Sequence, residues 1–152
     1  MRRILRELRV AAGVTQTRAG ISAAQLYVLQ TLADGSEASL SEIASRTLTD
    51  RSSVAAVVER LVDAQLVSRQ TASSDRRRAA ITITRTGRAV LKRAPLAPTA
   101  RLVAGLDALN DRELTPLAKG LEALARAMGV GDRPAGMLFE DPQRPVRKRA
   151  AK

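Results

Sequence analysis

Apolar residues recur along this chain at helical spacing, in blocks separated by short polar punctuation. In the first block Ile4, Leu5 and Leu8, followed by Ala11 and Ala12, share one side of a helix whose other side carries arginines, which predicts an amphipathic helix over residues 2–10. Such a helix either covers the core as a solvated surface element or lies across an interface between two chains. The "GVTQTRAG" behind it is expected to be a connecting loop. Ser22 followed three residues later by Gln25 is a capping box, and Leu26, Leu29, Leu32 and Ala33 then form a buried stripe that Gly35 closes. Ser39 with Glu42 repeats the signature and opens a short helix carrying Leu40, Ile43, Ala44 and Leu48 inward. Val54, Val57, Val58, Leu61 and Val62 restart the period behind a cap at Thr49 or Asp50.

After Leu66 the period changes. Residues 67–72 and 78–84 read as two strands around a turn at 73–77, with Ile81 and Ile83 on one face. Thr84 can cap a long helical stretch with Val90, Leu91, Leu102, Val103, Leu106 and Leu109 apolar, which Pro95 and Pro98 must break or kink. A last helix opens either at the capping box of Asn110 and Glu113 or at Thr115 with Pro116 as its first residue, and carries Leu114, Leu117, Leu121, Leu124 and Ala125. Beyond Met128 the chain is rich in Gly, Pro and charge without a period. Residues 129–152 are therefore expected to be a mobile tail, basic at its end through Arg144, Arg147, Lys148, Arg149 and Lys152.

Two helices separated by a few residues, at 40–48 and from about 51, have helix-turn-helix spacing. That spacing leaves Asp50, Arg51, Ser52, Ser53 and Ala56 at the N-terminal end and outer face of the second helix, where a reading helix meets base edges in a major groove. Ser52 and Ser53 either satisfy first-turn amides or touch a base or phosphate. Glu59 and Asp63 are expected to pair with nearby arginines. A hairpin directly behind a helix-turn-helix is a wing, and "DRRR", Asp75 to Arg78, stands at its tip. An arginine run alone is usually a solvated face; beside a reading helix it is placed to reach the flanking backbone and the narrow, electronegative minor groove.

Composition sharpens this. The chain has 152 residues, with 26 Lys and Arg against 15 acidic residues, a net charge of +11 that points to a polyanionic partner. No apolar run approaches the roughly 18 residues of a membrane span, and Arg6, Glu7 and Arg9 interrupt any secretory signal, so a cytoplasmic protein is expected. With one Tyr, one Phe and no Trp, aliphatic packing must carry the core. The absence of Cys and His excludes a disulfide framework and a thiol switch and argues against zinc. It also removes the commonest general base and nucleophiles, so neither an enzyme nor a cofactor is expected. Tyr27, on the second helix, is either a half-buried core residue or a ligand contact.

From Ile4 to Met128 the order of elements resembles the MarR family of bacterial transcription regulators. "LSEIASRTLTDRSSVAAVVERLVDAQLV" resembles the family's helix-turn-helix, and "DRR" at Asp75, Arg76 and Arg77 with "TRTG" at residues 84–87 resembles its wing signature. The resemblance implies a mainly α (α+β) fold. A winged helix-turn-helix core at about 36–84 would have a two-stranded β-wing and, flanking it at 1–20 and 85–128, N- and C-terminal dimerisation helices. It further implies a nucleoid-associated homodimer, commonly a repressor, on double-stranded DNA with a pseudo-palindromic operator. A small aromatic or anionic effector would bind between the dimerisation helices and the DNA-binding lobe, near Tyr27. Arg76, Arg77 and Arg78 would be wing contacts beside Arg51, Ser52, Ser53 and Ala56, with Asp75 bracing the tip. Two departures bear on this: the family commonly has Gly where Gln65 stands, and polar or basic side chains where Ala55 and Ala56 stand. Two other classes compete: an architectural, nucleoid-type protein that coats DNA without reading it, and a protein-docking winged helix.

Overall fold

The computed structural model describes residues 1–71 and 79–139. Among them the order is α1 (Arg2–Ala19), α2 (Ala23–Thr31), α3 (Leu40–Thr47), α4 (Arg51–Asp63), β1 (Val67–Thr71), β2 (Ala79–Ile83), α5 (Arg85–Arg93), α6 (Pro98–Asp107) and α7 (Asp111–Ala127). This is the expected winged-helix architecture, mainly α with a two-stranded antiparallel sheet.

The expected loop at 13–20 is instead the second half of α1. Threonines are weak helix formers, but Thr15 and Thr17 turn their hydroxyls back onto the carbonyls of Ala11 and Gly13, each at 3.0 Å. Thr15 is fully buried, so packing carries the helix beyond the point where propensity would end it. Gly20, at φ 70, supplies the left-handed cap. The capping boxes of Ser22 with Gln25 and Ser39 with Glu42 form as expected. However, α2 ends at Thr31, before Gly35, and Ala33 is exposed.

Leu48, expected to face inward, is 71% exposed. It occupies the left-handed position of a Schellman motif (φ 53) closed by the Thr49 amide on the Ala44 carbonyl at 3.0 Å, and that backbone turns its side chain out. Gln65 does the same after α4, at φ 59, with the Leu66 amide 2.9 Å from the Leu61 carbonyl. A side chain there costs about 1–2 kcal/mol, against ~0.5–1 kcal/mol for the extra unfolded-state freedom of glycine. Gln65→Gly is therefore expected to raise stability by about 0.5–1 kcal/mol in urea unfolding. A decrease would show that the turn is relaxed with its side chain.

The core is aliphatic. Leu26, Leu29 and Leu32 of α2, Ile43 of α3, and Val54, Val57, Val58 and Leu61 of α4 meet under Ile81 and Ile83 of β2. The strands pair from Val67 opposite Ile83 to Thr71 opposite Ala79. Ile81 is paired on its other edge as well: it exchanges both backbone bonds with Ala38, at 3.0 and 2.9 Å, which pins the hairpin stem to the entrance of α3.

The hairpin hands over to α5 at a tight corner. The Thr84 hydroxyl caps α5 by accepting from the Gly87 amide (3.0 Å) and donates toward the carbonyls of Gln65 (2.8 Å) and Leu66 (3.0 Å). Gly87 is buried so close to this corner that a Cβ would lie 2.1 Å from the Leu66 oxygen. The expected long helix breaks into α5 and α6, with Pro98 in the first turn of α6. Gln30 of α2 clamps the break, donating to the Pro95 carbonyl and accepting from the Ala97 amide, both at 3.0 Å.

Asn110, with Glu113, caps α7, and Pro116 lies inside that helix rather than at its start. No residue of α7 is buried. At its end Gly129 (φ 68) and the Val130 amide on the Ala125 carbonyl, at 3.0 Å, complete another Schellman motif and turn the chain back. Residues 129–139, part of the stretch expected to be mobile, return to the core, where Met137 is 6% exposed. Residues 140–152 lie outside the described residues.

Candidate nucleic-acid interface

α3 and α4 are joined by Leu48, Thr49 and Asp50, so the left-handed turn and the cap together set the angle between them. Asp50, not Thr49, is the cap: its carboxylate accepts from the Ser53 amide at 2.9 Å. It also accepts from the hydroxyls of Ser52 and of Ser53, the latter at 2.7 Å. These bonds, led by that from Ser52, hold the Asp50 carboxyl at about 2, well below the usual aspartate range. Two hydroxyl protons are thus committed to an ionised cap. Outward, the Ser52 oxygen offers lone pairs only, which suit a base amino group and not a phosphate oxygen.

The outer face of α4 is graded. Arg51 and Ser52 are exposed in its first turn, Ser53, Ala55 and Ala56 are half-buried, and Glu59 and Asp63 are exposed further along. The first turn exposes one cation, Arg51, beside the ionised Asp50 cap and has small side chains, which permit close approach to a duplex, whereas Glu59 and Asp63 further along expose carboxylates that repel phosphate. Arg69, exposed on β1 opposite Ile81, adds a cation to the hairpin stem that the sequence pattern did not single out. The wing-tip candidates Asp75, Arg76, Arg77 and Arg78 lie outside the described residues.

Tyr27 is 5% exposed, within the core cluster, and lines neither of the cavities described next. Burial, and behind it the Asp107 carboxylate, pushes its hydroxyl above the usual tyrosine range. A groove of about 600 Å³ runs instead between α1, α6 and α7, lined by Ile4, Leu8, Leu102, Leu106 and Leu117 with Arg3 and Arg101. A smaller cleft of about 280 Å³ adjoins it at Val14 and Leu96. Glu7 and Arg101, which line both, are paired across α1 and α6 at 3.1 Å. Among the described residues no cluster of His, Cys, Asp and Glu is placed to hold a metal ion, and no helix is long and apolar enough to cross a membrane.

A family model described as the MarR family matches residues 19–78, the span from the end of α1 to the hairpin. The stretch from the end of α1 to the hairpin is thus similar to that family. MarR-family regulators also appear among the solved structures that share its fold. Sco3205 of Streptomyces coelicolor, a MarR family transcriptional regulator solved in complex with DNA, is 23% identical, with 86% of this chain and 87% of that chain covered at a TM-score of 0.56. BldR, a transcriptional regulator of Sulfolobus solfataricus, is 22% identical over 80% of this chain and 85% of its own, with a TM-score of 0.55. BpsR of Bordetella bronchiseptica, whose DNA binding is regulated by 6-hydroxynicotinic acid, is 27% identical over 84% of this chain and 96% of its own, with a TM-score of 0.51. A search of curated proteins finds no match.

Proposed function

We propose that the protein is a sequence-reading, effector-responsive repressor that binds a pseudo-palindromic operator as a homodimer. The observation that carries this is the exposed first turn of α4, which presents Arg51 and the Asp50-oriented Ser52. Arg51 supplies a cation to a phosphate or guanine, and Ser52 accepts from a cytosine or adenine amino group. The half-buried Ala56 allows thymine-methyl contact, and Ser53, engaged with the cap, positions rather than reads. Arg76, Arg77 and Arg78 extend the contact along the wing, with Asp75 bracing them. This chemistry is binding, with no catalytic step, and it is exercised on the bacterial nucleoid in the cytoplasm.

Dimerisation is supported by α7. Leu114, Leu117, Leu121, Leu124 and Met128 are all 37% or more exposed, and their spacing alternates three and four residues, the repeat of a coiled-coil seam. On α1, Ile4, Leu5, Val10 and Val14 are exposed as well, and Ile4 lines one groove with Leu117 of α7. The groove between α1 and α6 holds only Leu117 of that seam, which leaves it for the effector. Its volume and aliphatic lining suit a small amphipathic or aromatic molecule, and Arg3 and Arg101 suit an anionic one.

The test is a gel-shift competition with genomic fragments. A site that survives excess random duplex supports sequence reading, whereas uniform displacement supports an architectural protein coating DNA by charge. On a recovered site, Arg51→Ala and Arg77→Ala are each expected to weaken binding by about 1–3 kcal/mol. Unchanged affinity for either removes that residue from the interface.

A further inference from the structure

Three helices, α2, α3 and α7, complete their own N-terminal caps: the third helical residue, Gln25, Glu42 or Glu113, reaches back to accept from the amide of the cap residue. α4 cannot. Its third residue is Ser53, which is too short to reach back and already donates its hydroxyl to the Asp50 carboxylate at 2.7 Å. The Asp50 amide donates instead to the Ala135 carbonyl at 3.0 Å, so the missing half of the capping box comes from the segment that follows α7. α5, with Gly87 in third place, solves the same problem nearby, the Thr84 amide donating to the Leu66 carbonyl at 3.0 Å. Only α4 depends on the end of the described chain for this bond.

Residues 129–139 are held at both ends. At α7 they begin with the left-handed turn of Gly129, after which Gly131 packs on Arg126 and the Arg133 amide donates to the Val130 carbonyl at 3.2 Å. At α4, Gly136 lies against Ser53, whose hydroxyl oxygen would stand 3.7 Å from an added Cβ, and Met137 is buried in the core cluster with the Thr49 hydroxyl 3.7 Å from its sulfur. Arg51 and Ser52 stay exposed, so the segment holds the start of α4 without covering the side chains proposed to read DNA. We propose that residues 129–139 are a strap that positions the first turn of α4 for DNA, with the Ala135 carbonyl completing the cap and Met137 as the plug that keeps that carbonyl in place. The proposal rests on the DNA-binding reading above and deepens it. Ala135 and Met137 are positioning residues: they act by fixing Asp50, next to Arg51 and Ser52, before a duplex arrives, so that this ordering is not left to the binding step. The strap also joins the proposed dimer seam to α4. Between Met128 and Ala135 the chain spans at most ~25 Å, so a larger swing of α7 away from α4 unseats Met137.

The test uses the full-length chain. Met137→Gln puts a polar amide where the thioether is buried, and Met137→Leu keeps an apolar fill. Gly129→Val strains the left-handed turn at the other end of the strap without touching the core. In amide hydrogen exchange followed by NMR, Met137→Gln and Gly129→Val are both expected to lower protection of the Asp50 amide about tenfold or more beyond any loss at Val58, in the middle of α4, and Met137→Leu is expected to restore it. A general loss of stability lowers both amides together. Affinity is then read by fluorescence anisotropy on the site recovered by the competition above. Ser53→Gln gives α4 the third residue that α2 uses, able to accept from the Asp50 amide within its own helix. Met137→Gln is therefore expected to weaken binding about three- to tenfold in the wild-type chain and less than about twofold in the Ser53→Gln chain. Equal weakening in both chains, parallel loss of protection at Asp50 and Val58, or tighter binding by Met137→Gln, as a segment covering the interface gives, each overturns the strap and leaves the DNA-binding reading intact. A wild-type chain from which no preferred site is recovered overturns both.

Discussion

Gly87→Ala is expected to destabilise the protein by about 3 kcal/mol, although helix propensity alone predicts the opposite. Gly87 lies within α5, where replacing glycine by alanine ordinarily gains about 1 kcal/mol. Here the added Cβ would stand 2.1 Å from the Leu66 oxygen and 2.8 Å from Ile83 Cγ1, and neither neighbour is the end of a flexible side chain. The Leu66 carbonyl also accepts from the Thr84 amide at 3.0 Å, so the helix cannot withdraw without loosening the corner that joins reading helix, hairpin and α5. Overpacking of this kind costs about 1–3 kcal/mol, and each hydrogen bond strained with it about 1 kcal/mol more, which outweighs the propensity gain. Gly13→Ala is the control: it also lies inside a helix, nothing stands within 4 Å of its Cβ position, and it is expected to stabilise by about 0.5–1 kcal/mol. Urea unfolding of both variants reads the contrast. If both alanines stabilise, the corner is looser than its geometry implies.

Gly87 also illustrates what is legible in the sequence. "TRTG" resembles a family signature, but its physical content, a cap whose helix must press against the Leu66 carbonyl, depends on the fold around it. Local signals read well: the capping boxes at Ser22, Ser39 and Asn110, the apolar stripe of α4, and the alternation of Ile81 and Ile83 all correspond to observed elements. Signals that depend on distant partners do not. Thr15 looks like a loop residue until its burial is known, and Leu48 looks like a core residue until its φ is known. Pairing of Ile81 with Ala38 leaves no pattern at all. In the proposed interface, the helical period places Arg51, Ser52 and Ser53 at the start of α4, as observed, but the division of labour proposed for them is not readable from it. That division follows from which hydroxyls Asp50 has already engaged. The return of residues 129–139 to the core has one faint sign, the apolar run of Met137, Leu138 and Phe139 inside a stretch rich in Gly, Pro and charge.

The second large effect concerns α7, and it separates binding from folding. Because no residue of α7 is buried within the single chain, Leu117→Gln with Leu121→Gln is expected to leave the helical circular dichroism and cooperative urea unfolding of the chain intact, with a midpoint lowered only by the concentration-dependent share that dimerisation adds. Glutamine is close to leucine in helix propensity and adds no charge, so neither α7 nor the salt-dependent attraction to DNA is altered by composition. What changes is the seam. Burying each leucine is worth about 1.5–3 kcal/mol, and removing two from each protomer takes away much of the surplus left after the cost of association. Sedimentation is expected to show a monomer at concentrations where the wild type is a dimer. Operator affinity is expected to fall about 100-fold or more, since a single head of roughly 10⁻⁵ M strength no longer brings a second into the millimolar range beside its half-site. A variant that remains dimeric places the seam elsewhere. One that is monomeric yet binds with wild-type affinity shows that a single head reads the whole site, and the pseudo-palindromic operator is then the wrong target.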